Sequence, residues 1–201
     1  MIIAIDPGLT RTGIVLMEDK GEVLAYATFA ADNSHDDRQL RAWDLAEALL
    51  DWVRGAAAKA ISPSLPVAPT LLVIEKPIVG KNIENFEKQM RLFTNIVTIF
   101  RDVVDTIIEV TPTKMKKAVT GNGAAHKIDI ITASPFDGPG EWVGEGMFTV
   151  KQREAEEQAN QEAVADAWGI GICAVKKVWD EKYAPHPNSF AARGPIIEKV
   201  Y

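Results

Sequence analysis

Met1-Ile-Ile-Ala-Ile-Asp6-Pro-Gly8-Leu-Thr10-Arg-Thr12-Gly13-Ile-Val-Leu16 opens the chain, and its reading decides the architecture. A β-branch-rich apolar run meets an acid, a Pro-Gly turn follows, and a second apolar run starts after Gly13, so the stretch reads as strand, tight turn, strand. Asp6 therefore falls where a buried strand ends. An acid there is either hydrogen-bonded into the turn through its own side chain or held rigidly at the mouth of a sheet to carry charge. Partner acids elsewhere in the chain favour the second reading.

Working outward, the Asp19-Lys20-Gly21 turn leads to Val23-Leu-Ala-Tyr-Ala-Thr-Phe29, which completes a three-stranded antiparallel meander. Polar residues 30–37, with Ser34 as a cap, precede a helix expected to run to about Ala60. Leu40, Trp43, Ala46, Leu50 and Val53 recur at helical spacing and are expected to face the core. The proline-rich Ser62–Pro69 stops this helix. Thr70-Leu-Leu-Val-Ile-Glu75-Lys-Pro77 then has the continuous apolar run of a strand buried on both faces, and again an acid terminates it. Two such strands, if neighbours, set two negative charges side by side. That arrangement is costly unless a cation sits between them.

Residues 82–105 are expected to form the longest helix, with one stripe of Phe86, Met90, Phe93, Val97, Phe100 and Val104 and a second of Leu92, Ile96, Ile99 and Val103. So wide an apolar arc calls for cover on two sides, by the sheet and by either a partner subunit or the rest of the domain. Ile107–Val110 is a short strand. Thr111-Pro112 starts a helix bearing Lys114, Lys116 and Lys117, and after Gly121-Asn-Gly123 a second short helix is expected from about Ala124, carrying His126 and Lys127. Lysines on both sides of a Gly-rich corner read either as a phosphate grip or as solvated surface. Residues 134–150 read as a long loop around Trp142. A last helix is expected over 151–177 with Asp166 among alanines, and 181–201 reads as an extended tail after a single domain, 1–180.

Composition bounds the function. The chain has 201 residues, 47% apolar and 25% charged, and carries no apolar run near the ~18 residues of a membrane span. A cytoplasmic protein is the expectation. Cys173, the single cysteine, excludes an intramolecular disulfide and reads as a small core filler. A formal charge of −6 argues against indiscriminate nucleic-acid binding. Residues 76–127 nevertheless hold nine Lys/Arg against five acids, a basic middle in an acidic shell.

Asp6, Glu75 and Asp166 are three acids at otherwise apolar locations, and Glu162 lies four residues before Asp166, one helical turn away on the same face. Hard carboxylate oxygens gathered at one point suit Mg²⁺ or Mn²⁺. Two such ions about 4 Å apart clamp both oxygens of a phosphodiester displacement. DNA affinity then falls to the basic middle.

These stretches resemble the RuvC-type Holliday junction resolvases of the ribonuclease H-like superfamily. The resemblance rests on Ile5-Asp-Pro-Gly8 with Thr12-Gly13, Ile74-Glu75, Lys88-Gln-Met-Arg91, Pro112 to Lys127, and Ala165-Asp166-Ala167, in family order over about residues 1–175. It implies an α/β fold with a five-stranded mixed sheet and helices on both faces. It also implies a homodimer packed through the 82–105 helix and paired nicking of four-way DNA junctions to leave 5′-phosphates. Asp6, Glu75 and Asp166 correspond to metal-binding catalytic acids, and Lys116 and Lys127 to phosphate contacts. Lys81, Arg91, Lys114, Lys117 and His126 are expected to complete the DNA-binding surface.

Three departures stand out. The family's acid or histidine three residues before its last Asp is Ala163 here, so Glu162 is expected to serve as the fourth ligand. Pro77-Ile78 stands where an aromatic wedge is usual, and the 134–150 loop is longer, with Trp142 as an added contact. Two other readings compete: a flap or branched-DNA nuclease of the same fold, and an actin-like ATPase or sugar kinase, whose first phosphate loop also has the form Asp-x-Gly-x-x-x-Thr-Gly. The latter needs a second Gly-rich phosphate loop, which the chain lacks.

Overall fold

The computed structural model describes residues 1–31, 38–60, 70–80, 82–136, 141–143, 150–179 and 196–199. Strands β1 (Ile2–Asp6), β2 (Thr12–Met17) and β3 (Val23–Phe29) form the expected meander, and β4 (Leu71–Glu75) and β5 (Thr106–Val110) extend it in parallel from β1. These five strands are the mixed sheet that the family resemblance implied. Two short strands add parallel edges and correct the reading of their segments: β6 (Glu141–Val143) lies within the expected 134–150 loop and β7 (Ile196–Lys199) within the expected extended tail, giving the order β6-β3-β2-β1-β4-β5-β7.

Alternation along the strands feeds two cores. Ile3, Ile5, Ile14, Leu16, Leu72 and Ile74 point to the layer made by α1 (Arg38–Ala60) and α2 (Ile83–Phe100). Ile2, Ala4, Val15, Met17 and Val73 point to the layer made by α3 (Pro112–Thr120), α4 (Lys127–Ala133) and α5 (Val150–Trp179). Strands buried on both faces need this continuous apolar content.

Three expectations shift. The buried face of α1 is Ala42, Leu45, Ala46, Leu49, Leu50 and Val53, whereas Leu40 and Trp43 are exposed at 50% and 39%. The face is rotated so that Ala42, Leu45 and Leu49 replace Leu40 and Trp43 in the core shared with α2 and the sheet. α2 ends at Phe100, a turn short of the apolar pattern, because the Val103 and Val104 amides both donate to the Phe100 carbonyl and the Asp105 carboxylate accepts from the Thr70 amide at 2.6 Å. Val104 is buried in that turn, so apolar spacing outlasts the helix, and α2, at 18 residues, is not the longest helix but is shorter than α1 at 23 and α5 at 30. α4 begins at Lys127 rather than near Ala124, with His126 as its N-cap and Asp129 returning a bond to the His126 amide at 2.8 Å. Most of the expected tail, and the side chains of the 137–149 stretch including Trp142, lie outside the described residues.

Candidate active site

Asp6 and Glu75 end β1 and β4, two adjacent parallel strands whose register runs to Ile5↔Ile74. The next pair in that register is the two acids, about 4.8 Å apart in strand spacing. Both follow residues that face the α5 layer by two positions (Ala4 and Val73), so strand alternation sends both carboxylates to that face. The β1–β2 turn is closed without Asp6: the Arg11 amide donates to the Gly8 carbonyl at 3.2 Å, the Gly8 amide to Thr12 Oγ1 at 3.1 Å, and Thr12 Oγ1 back to the Gly8 carbonyl at 2.7 Å. Fully buried Thr12 thus fixes the turn and leaves the Asp6 carboxylate to face the site.

α5 brings the third acid. Gly13 pairs with Asp6 across β1 and β2, and a Cβ on Gly13 would overlap the Ala163 carbonyl, so the helix backbone is seated directly on the strand. Asp166, three residues further along α5, is thereby carried over the strand ends. Ala163 itself is buried, at 6% exposure. An unpredicted strap secures the contact from the other side: Arg11 Nε donates to the buried Asn160 Oδ1 at 2.8 Å, and Thr28 Oγ1 donates to the Asn160 carbonyl at 3.4 Å. These partners are 149 and 132 residues apart, beyond the reach of any local pattern.

The electrostatics show three acids in one field. Burial raises the Asp6 carboxyl well above the usual carboxylate range, Glu75 and then Asp166 add to the rise, and Lys127 opposes it. Glu75 is pushed up to about 7, by burial and then by Asp166, with Lys116 and Lys127 pulling it back. Asp166 is raised by burial, against Lys127, with Glu162 raising it further and Lys116 lowering it. Lys127 feels partial burial, which disfavours its charge, but its hydrogen bond to Glu162 and the fields of Glu162, Asp166 and Asp6 prevail and raise it. Lys127 Nζ lies 3.1 Å from Glu162 Oε2.

The other basic residues divide. Lys116 on α3 joins Lys127 beside the acids. Lys114 instead acts on Cys173, whose thiol burial pushes up to about 11. Lys117 and His126 are exposed at the α3–α4 corner, where Gly121 caps α3 at a φ of 79°. Arg91 is exposed on α2, in the layer on the opposite face of the sheet, and Lys81 lies outside the described residues.

The donor set fits a hard divalent cation: burial and mutual repulsion raise all three carboxyls, and bound positive charge opposes that rise. Among the described residues no three His, Cys, Asp or Glu side chains converge into a complete metal-ligand group, so the acids form an open arrangement with Lys127 as cation.

Comparison with known proteins supplies a second line. The family model described as crossover junction endodeoxyribonuclease RuvC matches residues 2–133. That span includes Asp6, Glu75, Lys116 and Lys127 and stops before α5. The crossover junction endodeoxyribonuclease RuvC of Salinibacter ruber (strain DSM 13855 / M31) is 25% identical over 177 residues, covering 86% of this chain and 83% of that protein. The Thermus thermophilus RuvC structure matches with a TM-score of 0.53 at 15% identity, over 86% of this chain and 91% of that one. T. thermophilus RuvC in complex with Holliday junction substrate matches with a TM-score of 0.57 at 12% identity, over 89% and 95%. At such identities these two structures speak to the fold.

Proposed function

The chain belongs to the RuvC family of crossover junction endodeoxyribonucleases, and from that premise we propose that it resolves four-way DNA junctions by paired symmetric nicks that leave 5′-phosphates. The observation that carries the reading is that Asp6, Glu75 and Asp166, from two strands and a helix, are largely buried and lie within one another's electrostatic field, with Lys127 and Lys116 acting on the same group. In this reading the three carboxylates hold two Mg²⁺ ions, for which Mn²⁺ substitutes, and Glu162 serves as the fourth carboxylate. Bound divalent ions polarise the phosphodiester and lower the pKa of the attacking water. Lys116 and Lys127 hold the phosphate oxygens near the acids, and Lys117 and His126 track the strand along the α3–α4 corner; Lys81, Arg91 and Lys114 contribute to DNA affinity away from the scissile bond.

Two active sites are needed for paired nicks, and α2 supplies a surface for pairing. Leu92, Asn95, Ile96 and Phe100 are buried within the chain, while Phe86, Met90, Phe93 and Val97 stay partly exposed along the neighbouring stripe. A homodimer through that stripe covers it and sets two centres in one particle. Among the described residues no helix is long and apolar enough to cross a membrane, and the proposed place of action is cytoplasmic DNA.

The test is cleavage of mobile and immobile four-way junctions in Mg²⁺ and in EDTA, beside flaps and linear duplex, with wild type and Asp6→Asn. Symmetric, metal-dependent nicks confined to junctions and lost in the variant are expected. Equal cutting of flaps would move the reading to a branched-DNA nuclease of the same fold, and tight ATP binding without cleavage would revive the kinase-like alternative.

A further inference from the structure

Glu162 and Lys127 answer to each other before either can act on anything else. The ammonium sits 3.1 Å from Glu162 Oε2, yet its field also reaches Asp6, Glu75 and Asp166, so one cation serves four carboxylates. It comes from the first residue of α4, while Glu162 sits one turn before Asp166 on α5. The two side chains are 65% and 26% exposed, which leaves the lysine free to swing toward solvent while the carboxylate stays at the edge of the site. An ion pair this exposed is weak and exchanges readily for another anion. A DNA phosphate is such an anion, and a lysine is a ready partner for it.

We infer that the Lys127–Glu162 pair is a latch that couples phosphate binding to completion of the metal site. Without DNA, Lys127 occupies Glu162, and the remaining acids form the open arrangement described above. When a backbone phosphate takes the ammonium, Glu162 is released one helical turn from Asp166, and the carboxylate set gains its fourth member. Glu162 is then both the positioning residue for Lys127 and the ligand withheld until substrate arrives. The inference rests on the proposed role of the acids. It adds that their ligand set is finished by DNA, so that a metal-bearing hydrolytic centre does not stand assembled away from its substrate.

The experiment measures Ca²⁺ binding to the DNA-free protein by isothermal titration calorimetry in wild type, Lys127→Met, Glu162→Gln and the double variant. Circular dichroism checks that each is folded. Lys127→Met is expected to tighten Ca²⁺ binding on the order of tenfold, chiefly through the Glu162 carboxylate that it releases to the ion. Most of that gain must vanish in the Glu162→Gln background, because there is no carboxylate to release. Equal gains in both backgrounds would reduce Lys127 to a distant charge and overturn the latch, as would unchanged or weaker binding in Lys127→Met. Junction affinity gives a second readout: Ca²⁺ tightens it in wild type and fails to do so in Glu162→Gln. Absence of Ca²⁺ binding in every protein, with the junction still bound, removes the metal reading of the acids and the latch with it, whereas intact Ca²⁺ binding without coupling removes the latch alone.

Discussion

Gly13 lies beneath Ala163 with no space for a side chain between strand and helix. This contact sets the height at which Asp166 meets Asp6, since Gly13 is the cross-strand partner of Asp6 and Ala163 precedes Asp166 by three residues. Gly13→Ala must push the α5 backbone away, because the opposing atoms are main chain and cannot rotate aside. The expected cost is about 1–3 kcal/mol in urea unfolding. The rise in Tm on adding Mg²⁺ is expected to fall by more than this destabilisation alone accounts for.

The acids give the metal-free protein a specific pH signature. Glu75 titrates near 7 in the folded chain against 4.5 in the unfolded one, so the folded state binds the extra proton between those values. Its contribution to stability is full below 4.5 and is lost as pH rises through about 7. Asp6 and Asp166 shift in the same direction. Thermal unfolding in EDTA is therefore expected to show Tm falling between pH 5 and 8. Glu75→Gln should be more stable than wild type at pH 8, by roughly 2–4 kcal/mol, and should lose that advantage near pH 5. A Glu75→Gln profile parallel to wild type would refute the buried, mutually repelled state of this acid.

Asn160 joins the first turn of the sheet to the last helix through its bond from Arg11, with only 5% of the residue exposed. Asn160→Ala removes the part-buried hydrogen bond from Arg11 Nε and is expected to cost about 1–3 kcal/mol. Metal affinity, read by calorimetry, should weaken in parallel as α5 loosens against the turn. Asn160→Asp keeps an oxygen acceptor and is expected to recover most of it.

Lys116 tests the DNA side of the site. Replacing it with Ala should weaken binding about equally across junctions of different sequence, and the slope of log K against log salt should drop by about 1. A sequence-selective loss would assign Lys116 to base readout instead.

Dimerisation has its own test on α2. Phe93→Asp introduces a charge on the partly exposed stripe without touching the acids, and sedimentation is expected to show a monomer that nicks one strand at a time. A dimer unchanged in mass would place the subunit contact elsewhere.

Both strand-end acids were legible from the sequence because a strand has only two faces and an end, so an acid after four buried residues has few places to go. Asp166 was legible from its alanine neighbours, and the long helix from its stripes. Other features depended on distance. The Arg11–Asn160 strap and the Lys127–Glu162 pair join segments 149 and 35 residues apart, and nothing local in either segment announces the partner. β6 and β7 were missed because three or four residues acquire strand structure only by pairing with an existing edge. Leu40 and Trp43 misled in the other direction: helical spacing identifies a face, and packing against α2 and the sheet then selected the flank with Ala42, Leu45 and Leu49.

The division of the acids between sheet and helix also sets the order in which synthesis supplies them. β1 and β4 are complete once residue 75 has left the ribosome, whereas Asp166 follows about ninety residues later, a delay of roughly 5–20 s at ordinary rates of synthesis. A nascent chain can therefore hold its central strands and their two carboxylates before the third acid exists. On the proposed role of the acids, cleavage waits until synthesis has passed Asp166 and α5 has settled onto Gly13.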